Sequence, residues 1–399
     1  MTENVKAVRA PDTLDEVQVQ EAVSHFEKLL REQIRRRDSM ASAAPPRDFL
    51  DGQPVVIGII DGDGIGPIIM REAERVLRFL LREEMEAGTI VLRRIDGLTL
   101  ENRLASNQAV PEEVLTAVKS CDVLLKGPTT TPKGGTLESA NVVLRRSLDL
   151  YANVRPVVVP EEGIDWIFFR ENTEGEYALG SRGIDLDGAL TADFKVTTDM
   201  GTRRIARAAF NYARRNGKTS VAIVTKANIL KKTDGMFSRI AHEIAGDYPE
   251  IDAQDWYVDI MAANLVNPVI RSRFQVFLLP NLYGDILTDE AAQLQGGVGT
   301  AGSSNTGDHY AMFEAIHGSA PRKIAAGEGD YANPASILRA AEMLLRHIAR
   351  IEKAEQLNKA LRICLEEEKR VVVTGHADGA SCEAFGEYLL DKLAALHAG

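Results

Sequence analysis

The sequence predicts an α/β protein, because short β-branched apolar runs alternate along the chain with stretches of helical periodicity. Two stretches carry this reading. Pro54 to Ile60 is an apolar run that breaks at DGDGIGP and passes into a helical pattern from Ile68 to Leu80. Val276 to Leu279 is a second run of strand length; it breaks at Pro280-Asn281, releases Asp285 and Asp289 four positions apart, and ends in the glycine-rich GGVG. A chain of 399 residues is too long for one small core, so one large or two intermediate domains are expected.

Hydrophobic content of 45% with charged content of 26% is ordinary for a globular protein. The formal net charge of -11 argues against non-specific binding to nucleic acid or to an anionic membrane, since both reward a basic field. Cys121, Cys364 and Cys382 are widely spaced and lack partners at zinc-ligand spacing, so neither a disulfide framework nor a structural zinc is expected. The N-terminus has acids and no apolar core of a signal peptide, and no stretch is apolar enough to span a bilayer. A reducing cytoplasm is the expected location.

Thr13 to Arg37 reads as an amphipathic helix, with Thr13 and Glu16 placed for a capping box and Val23, Phe26, Leu30 and Ile34 at helical spacing. SMASAAPPRDF then reads as a linker, which leaves residues 1–50 as an appendage that packs on the body or on another subunit. In DGDGIGP the glycines 62, 64 and 66 alternate strictly, so the GxGxxG fingerprint of a Rossmann fold is absent and a tight strand-to-helix turn is expected. Further strands are predicted at Val123 to Leu125, at Trp166 to Phe169, before Lys226 and at Arg370 to Thr374. Helices are predicted from Thr202 to Arg215, at Val258 to Leu265, after Gly284, from Ala335 to Ile348, over 351–369 and from Glu383.

Chemistry-bearing residues cluster in a few segments. If the segment after Gly284 is helical, Asp285 and Asp289 lie on one face a turn apart, which fits either a divalent cation or a solvated surface. Thr129, Thr130 and Thr131 lie in a loop with hydroxyls and amides open to a polar ligand. Arg145, Arg155 and Arg170 each carry the planar fork that grips a carboxylate, and their convergence would imply a multiply anionic small molecule. Arg170 and Tyr177 fall in RENTEGEY, which is too polar for a core strand. Lys226 ends a strand as a candidate base or charge partner, and Asp259 opens a helix as a cap or a ligand.

Taken together, DGDGIGP, GPTTTP, SANVVLRRSLDLYANVRP, RENTEGEY, TKANILKKTDG, VDIMAANLV, NLYGDILTDEAAQLQGGVG, EAIHGSAP and YANP resemble the metal-dependent β-decarboxylating dehydrogenases, the isocitrate and isopropylmalate dehydrogenase family. The segments stand in the family's order from Val55 to the C-terminus. The resemblance implies a two-domain α/β fold, not a Rossmann fold: a large nucleotide-binding domain from residues 51–150 plus 296–399, and a small dimerisation domain from 151–295. It implies a homodimer, with higher oligomers open, whose active sites are shared, so that Lys226 and Asp259 act on the neighbour's substrate.

Carried over by position, Arg145, Arg155 and Arg170 resemble the substrate-carboxylate arginines, and Asp285, Asp289 and the partner-supplied Asp259 resemble the Mg2+ or Mn2+ ligands. Tyr177 and Lys226 resemble the acid/base pair. Thr130, Thr131, Glu314, His317, Gly318, Ala320 and Asn333 resemble positions that line the nucleotide. Ser139 and Asn141 stand where isocitrate enzymes hold the extra carboxylate and isopropylmalate enzymes place apolar residues. The resemblance therefore implies oxidative decarboxylation of isocitrate, a tricarboxylate. The alternatives are isopropylmalate, homoisocitrate or tartrate as substrate, or a non-catalytic regulatory subunit. NADP is slightly favoured over NAD by Arg322 and Lys323 in RKIAAGEGD, but TGHADGASCEAF lacks the tyrosine and arginine of bacterial NADP enzymes, and Glu328 or Asp330 leaves NAD open. Ile68 departs from the family's usual acid, and the N-terminal helix lies outside the resemblance.

Overall fold

Among the described residues twelve strands are formed: β1 (Val55–Ile60), β2 (Ile90–Arg94), β3 (Val123–Lys126), β4 (Ala152–Val159), β5 (Ile164–Glu171), β6 (Ile184–Leu186), β7 (Leu190–Ala192), β8 (Ser220–Thr225), β9 (Asp252–Tyr257), β10 (Val276–Leu279), β11 (Gly302–Thr306) and β12 (Ala311–Ala315). The structure, a computed structural model, describes residues 16–40, 47–132, 137–180, 182–297 and 301–398. Ten strands make one mixed sheet in the order β2-β1-β3-β12-β11-β4-β5-β10-β8-β9, and β6 and β7 pair separately. The pairs β12/β11, β11/β4 and β4/β5 are antiparallel, and every other neighbour in the large sheet is parallel.

Strands β1, β3 and β10 are buried over nearly their whole length, which explains why they read as continuous apolar runs without alternation. Helices cover both faces. Val55, Ile57, Val123 and Phe313 pack with Ile69, Val76, Leu344 and Phe385 in one apolar cluster, so that residues from both chain ends share a core. Further along the sheet, Trp166, Phe168 and Phe277 pack with Met261, Leu279 and Leu287; the Phe168 and Phe277 rings stack with centroids 4.3 Å apart. Full burial of each such side chain contributes about 1.5–3 kcal/mol.

The glycine turn after β1 is a junction of three loops. A Cβ on Gly62 would lie 2.2 Å from the Pro128 carbonyl oxygen, and one on Gly64 would lie 2.0 Å from that of Ser319. Both glycines also have positive φ, so the expected tight turn is formed and its glycines serve close backbone approach. Asp63 accepts from the amides of Leu100 and Thr130, tying this turn to the threonine loop.

Three sequence expectations change. Arg370 to Thr374 is not a strand: the carbonyls of Val372, Val373 and Gly375 accept from Ala380, Asn333 and Lys323, and no ladder forms. Arg170 and Glu171 belong to core strand β5, because side-chain partners satisfy both charges within the buried strand. The 351–369 helix is α-helical only to Arg362 and widens into a π-turn at Ile363–Glu367.

The N-terminal helix spans Glu16–Met40 and lies against β6 and the helix Asp199–Arg215. It anchors through Leu29, 2% exposed, which packs with Ala178, Leu179, Phe194 and Val196. The stripe Val23, Phe26, Leu30 and Ile34 faces largely outward, although the Phe26 ring contacts that of Phe194 at 4.8 Å. Thr13, most of the predicted linker, Gly134-Gly135 and the end of GGVG lie outside the described residues.

Candidate active site

Strand β10 delivers the chain through Pro280 into the helix Asn281–Leu294, which places Asp285, Thr288 and Asp289 beside the ends of β4 and β5. Gly284 is required there, since a Cβ would meet the Arg170 side chain at 2.6 Å. Arg170, 1% exposed, donates through Nε to Asn281 Oδ1 at 2.9 Å and through Nη1 to Asp285. Arg155, buried on β4, donates to Asn153, to Thr288 at 2.7 Å and to Asp289 at 2.8 Å, with Asp285 at 3.6 Å. The Tyr177 hydroxyl donates to Asp285 Oδ2 at 2.8 Å, and its ring stands 5.4 Å from the Arg170 guanidinium carbon.

Burial and the neighbouring Arg145 push the Arg170 guanidinium down to about 10, with Asp285 acting in the other direction. Burial opposes ionisation of Asp285, yet Arg170 and Arg155 outweigh it and hold the carboxyl below the ordinary range. Burial raises the Tyr177 hydroxyl, as does the Asp285 charge. This is a cationic basin with two carboxylates on its rim.

Arg145 completes the basin from the helix Ala140–Ser147. Its Nη2 donates to Glu314 at 3.0 Å, while its buried Nε has no hydrogen-bond partner. An orphaned guanidinium N–H beside two further arginines is a donor kept for an anion. Val142, Asn172, Thr173 and Tyr177 line the hollow next to it. Glu314 sits on β12 between Lys126 and Arg145; burial opposes its charge, but these two cations hold it at about 2. Glu314 thus joins the arginine basin, and Lys126, fully buried, is a charge that the sequence reading missed.

The N-cap of this helix is Ser139, and the Asn141 carboxamide oxygen accepts from Thr129 at 3.1 Å. Thr130 bonds Ser319 through its hydroxyl at 2.5 Å, and Thr131 is exposed. His317 bonds the Gly318 carbonyl through Nδ1, and its buried Nε2 has no partner. Ala320 takes a left-handed φ of 47°, and Asn333 caps the helix that begins at Ala335. Lys323 donates to the Gly375 carbonyl, Arg322 and Asp330 are exposed, and Glu328 pairs with His376.

Arg103 braces this region. Fully buried, it donates to the carbonyls of Ala109, Thr130 and Glu138, gripping both flanks of the threonine loop. Arg103→Met is expected to lower stability by about 3 kcal/mol in urea denaturation, because three part-buried carbonyls lose one buried donor at once.

Lys226 and Asp259 form a separate group. The Lys226 ammonium donates to Asp259, whose carboxyl is lowered by this bond, and among the described residues neither touches the arginine basin. Ile229, Ile260 and Val266, which follow Lys226 and Asp259 in the chain, are exposed, and Ile286 is exposed on the helix that carries Asp285.

The family signature described as isocitrate/isopropylmalate dehydrogenase matches residues 56–389. The chain belongs to this family of dehydrogenases. A probable NAD isocitrate dehydrogenase subunit alpha of Drosophila melanogaster is 36% identical over 363 residues, 88% of this chain and 91% of that protein. An NADP isocitrate dehydrogenase of Rickettsia prowazekii is 38% identical over 78% of this chain but only 63% of its own length, and a 3-isopropylmalate dehydrogenase of Methanothermobacter thermautotrophicus is 37% identical over 78% and 91%. The crystal structure of an isocitrate dehydrogenase from Methylococcus capsulatus superposes with a TM-score of 0.75 at 34% identity, covering 85% of this chain and 99% of that one. The family match starts after the N-terminal helix. Among the described residues no helix is long and apolar enough to cross a membrane.

The sequence reading of this family member located the arginines, Tyr177 and the two aspartates, which the structure brings together. It missed Asn281, Arg103 and Lys126. Asn281 and Lys126 carried a signal, since each is a polar residue placed directly at the end of a fully apolar strand.

Proposed function

We propose that the protein oxidatively decarboxylates isocitrate to 2-oxoglutarate and CO2 with reduction of NAD or NADP. The observation that carries this is the three-arginine basin with its unpartnered Arg145 Nε, sized in charge for a small molecule with several carboxylates. Ser139 and Asn141, at the start of the helix that carries Arg145, support isocitrate over isopropylmalate: the Asn141 oxygen is engaged by Thr129, which leaves the amide NH2 for an extra carboxylate.

A Mg2+ or Mn2+ ion fits Asp285 and Asp289, whose oxygens share one helix face and are partly exposed; hard oxygen donors of this kind suit these ions. Among the described residues no three such groups converge within this chain, which leaves room for a third ligand from a partner subunit. A partner subunit's copy of Asp259 fits there, and the exposed apolar residues that follow Lys226 and Asp259 in the chain and lie on the Asp285 helix support a homodimer that covers them. The proposed domains, 51–150 plus 296–399 and 151–295, are supported by the separate apolar clusters on either side of the sheet's antiparallel centre.

In this reading Arg145, Arg155 and Arg170 hold the carboxylates and orient the substrate. Lys226 from the partner, as the free amine, accepts the hydroxyl proton, and Tyr177, kept protonated by burial and by Asp285, returns a proton to the carbon that loses CO2. When bound, the metal supplies Lewis-acid polarisation of the reacting oxygen, and the nicotinamide supplies the hydride acceptor. Thr130, Thr131, His317, Gly318, Ala320 and Asn333 are proposed to line the nucleotide, with the unpartnered His317 Nε2 as one polar contact.

NADP was slightly favoured by Arg322 and Lys323, and the structure reduces that lean to Arg322, since Lys323 is engaged by Gly375. The test is absorbance at 340 nm with isocitrate and isopropylmalate crossed against NAD and NADP, with Mg2+, Mn2+ or EDTA. Isocitrate-dependent reduction abolished by EDTA is expected. Activity that survives EDTA overturns the metal assignment, and faster turnover of isopropylmalate overturns the substrate.

A further inference from the structure

The segment from Glu171 to Tyr177 leaves β5 and carries two buried carboxylates three positions apart. Glu171 is satisfied locally, accepting from the amides of Thr173 and Glu174 and from the Thr173 hydroxyl. Glu174 reaches across to the N-terminus of the helix Asp199–Arg215, where it accepts from the Thr198 amide at 2.8 Å and from the Thr198 hydroxyl. Gly201 makes this approach feasible, since a Cβ there would stand 2.3 Å from the Glu174 carboxylate. The backbone of the same residue is held by Asn281, which donates to the Glu174 carbonyl while accepting from Arg170.

Among the described residues one cation pairs with Glu174, and it comes from outside the family-matched region. Arg36, near the end of the N-terminal helix, donates through Nη1 to Glu174 at 3.2 Å and through Nη2 to the Thr173 hydroxyl at 2.8 Å. Thr173 lines the hollow beside Arg145 and Tyr177. The surrounding charges do not replace Arg36: Arg204 is committed to Asp149, Glu171 is repulsive, and Asp149 itself lies 4.0 Å from Arg36.

We propose that Arg36 is a positioning residue, through which the N-terminal helix fixes the Glu171–Tyr177 segment in the shape that receives the substrate. Burial and Glu171 push the Glu174 carboxyl up even with Arg36 acting the other way, so loss of Arg36 favours the protonated acid and weakens its hold on Thr198. Leu29 docking on Ala178 and Leu179 brings the helix to the same segment, so the guanidinium is delivered by a packed contact. The proposal that substrate binding depends on this segment rests on the assignment of Arg145 and Tyr177 made above.

The test compares Arg36→Met, Arg36→Lys and the double variant Arg36→Met/Glu174→Gln with the wild type, each as the full chain. Amide hydrogen exchange in 172–177 and 198–202, measured without substrate, is expected to quicken roughly tenfold in Arg36→Met and to return towards wild type in the double variant, where no buried charge needs a cation. KM for isocitrate is expected to rise roughly tenfold with kcat changed less than about twofold, because the cost of reordering the segment falls on binding; Arg36→Lys is expected to be intermediate. Unchanged exchange in Arg36→Met overturns the latch. Faster exchange with unchanged KM overturns positioning, and failure of Glu174→Gln to relieve Arg36→Met overturns the pairing that carries it. A wild type that oxidises no acid in the panel refutes the proposed function, while the exchange readout still decides whether Arg36 fixes the segment.

Discussion

Lys226→Met and Tyr177→Phe are each expected to lower turnover by roughly 10²-fold or more, and a mixture of the two variants is expected to recover roughly a quarter of wild-type activity. The first effect follows from removing a proton acceptor or donor from the reacting atoms. The second follows from where the structure puts them. Tyr177 bonds Asp285 inside the arginine basin, whereas Lys226 bonds Asp259, with exposed apolar residues following both in the chain. If each site takes its tyrosine from one subunit and its lysine from the other, a mixed dimer holds one site with both groups intact and one with neither. Random pairing makes half the dimers mixed, and half the sites in those are whole. Steady-state rates after co-refolding of the two variants provide the measurement. Activity no higher than that of either variant alone would place both residues in the same subunit's site.

How far the site was legible depended on whether each residue's partner lies nearby in the chain. Asp285 and Asp289 declared themselves because helical spacing alone puts them on one face. Arg170 was misjudged: a polar segment argues against a core strand only if its charges lack partners, and Asn281 and Asp285, more than a hundred residues away, supply them. Arg370 to Thr374 failed in the opposite way. Its β-branched residues fit a strand, but the adjacent backbone is occupied by side chains and a loop, and propensity does not report competition of that kind. The N-terminal helix was recognised by period, yet its contact face is set by Leu29 and Arg36, which pair with residues far along the chain. Strand β11 is not legible in the sequence because GSSNT is polar yet enclosed over its first four residues, with Ser303 and Asn305 bonded to Asn153.

Asp285→Asn is expected to damage both turnover and stability, whereas Asp289→Asn is expected to weaken mainly the response to metal. Asp285 faces Arg170, Arg155 and the Tyr177 hydroxyl, while Asp289 among the described residues pairs with Arg155 alone and its side chain is 57% exposed. Neutralising Asp285 leaves two buried guanidiniums with one exposed counter-charge between them, at a cost of about 1–3 kcal/mol at neutral pH. Turnover is expected to fall roughly 10²-fold, since the same carboxylate is a proposed metal ligand and the partner of Tyr177. The pH dependence separates these roles. Asp285 has a lowered pKa in the folded state, so its contribution is fully present above the ordinary aspartate value near 3.9 and is lost as pH falls through the lowered value. Thermal midpoints of wild type and Asp285→Asn are therefore expected to differ near neutrality and to converge in strong acid. Asp289→Asn is expected to require more Mg2+ for half-maximal rate. A difference for Asp285→Asn that persists in strong acid would mean that its damage comes from lost packing, and would remove the carboxylate from the account of how the arginine basin is held.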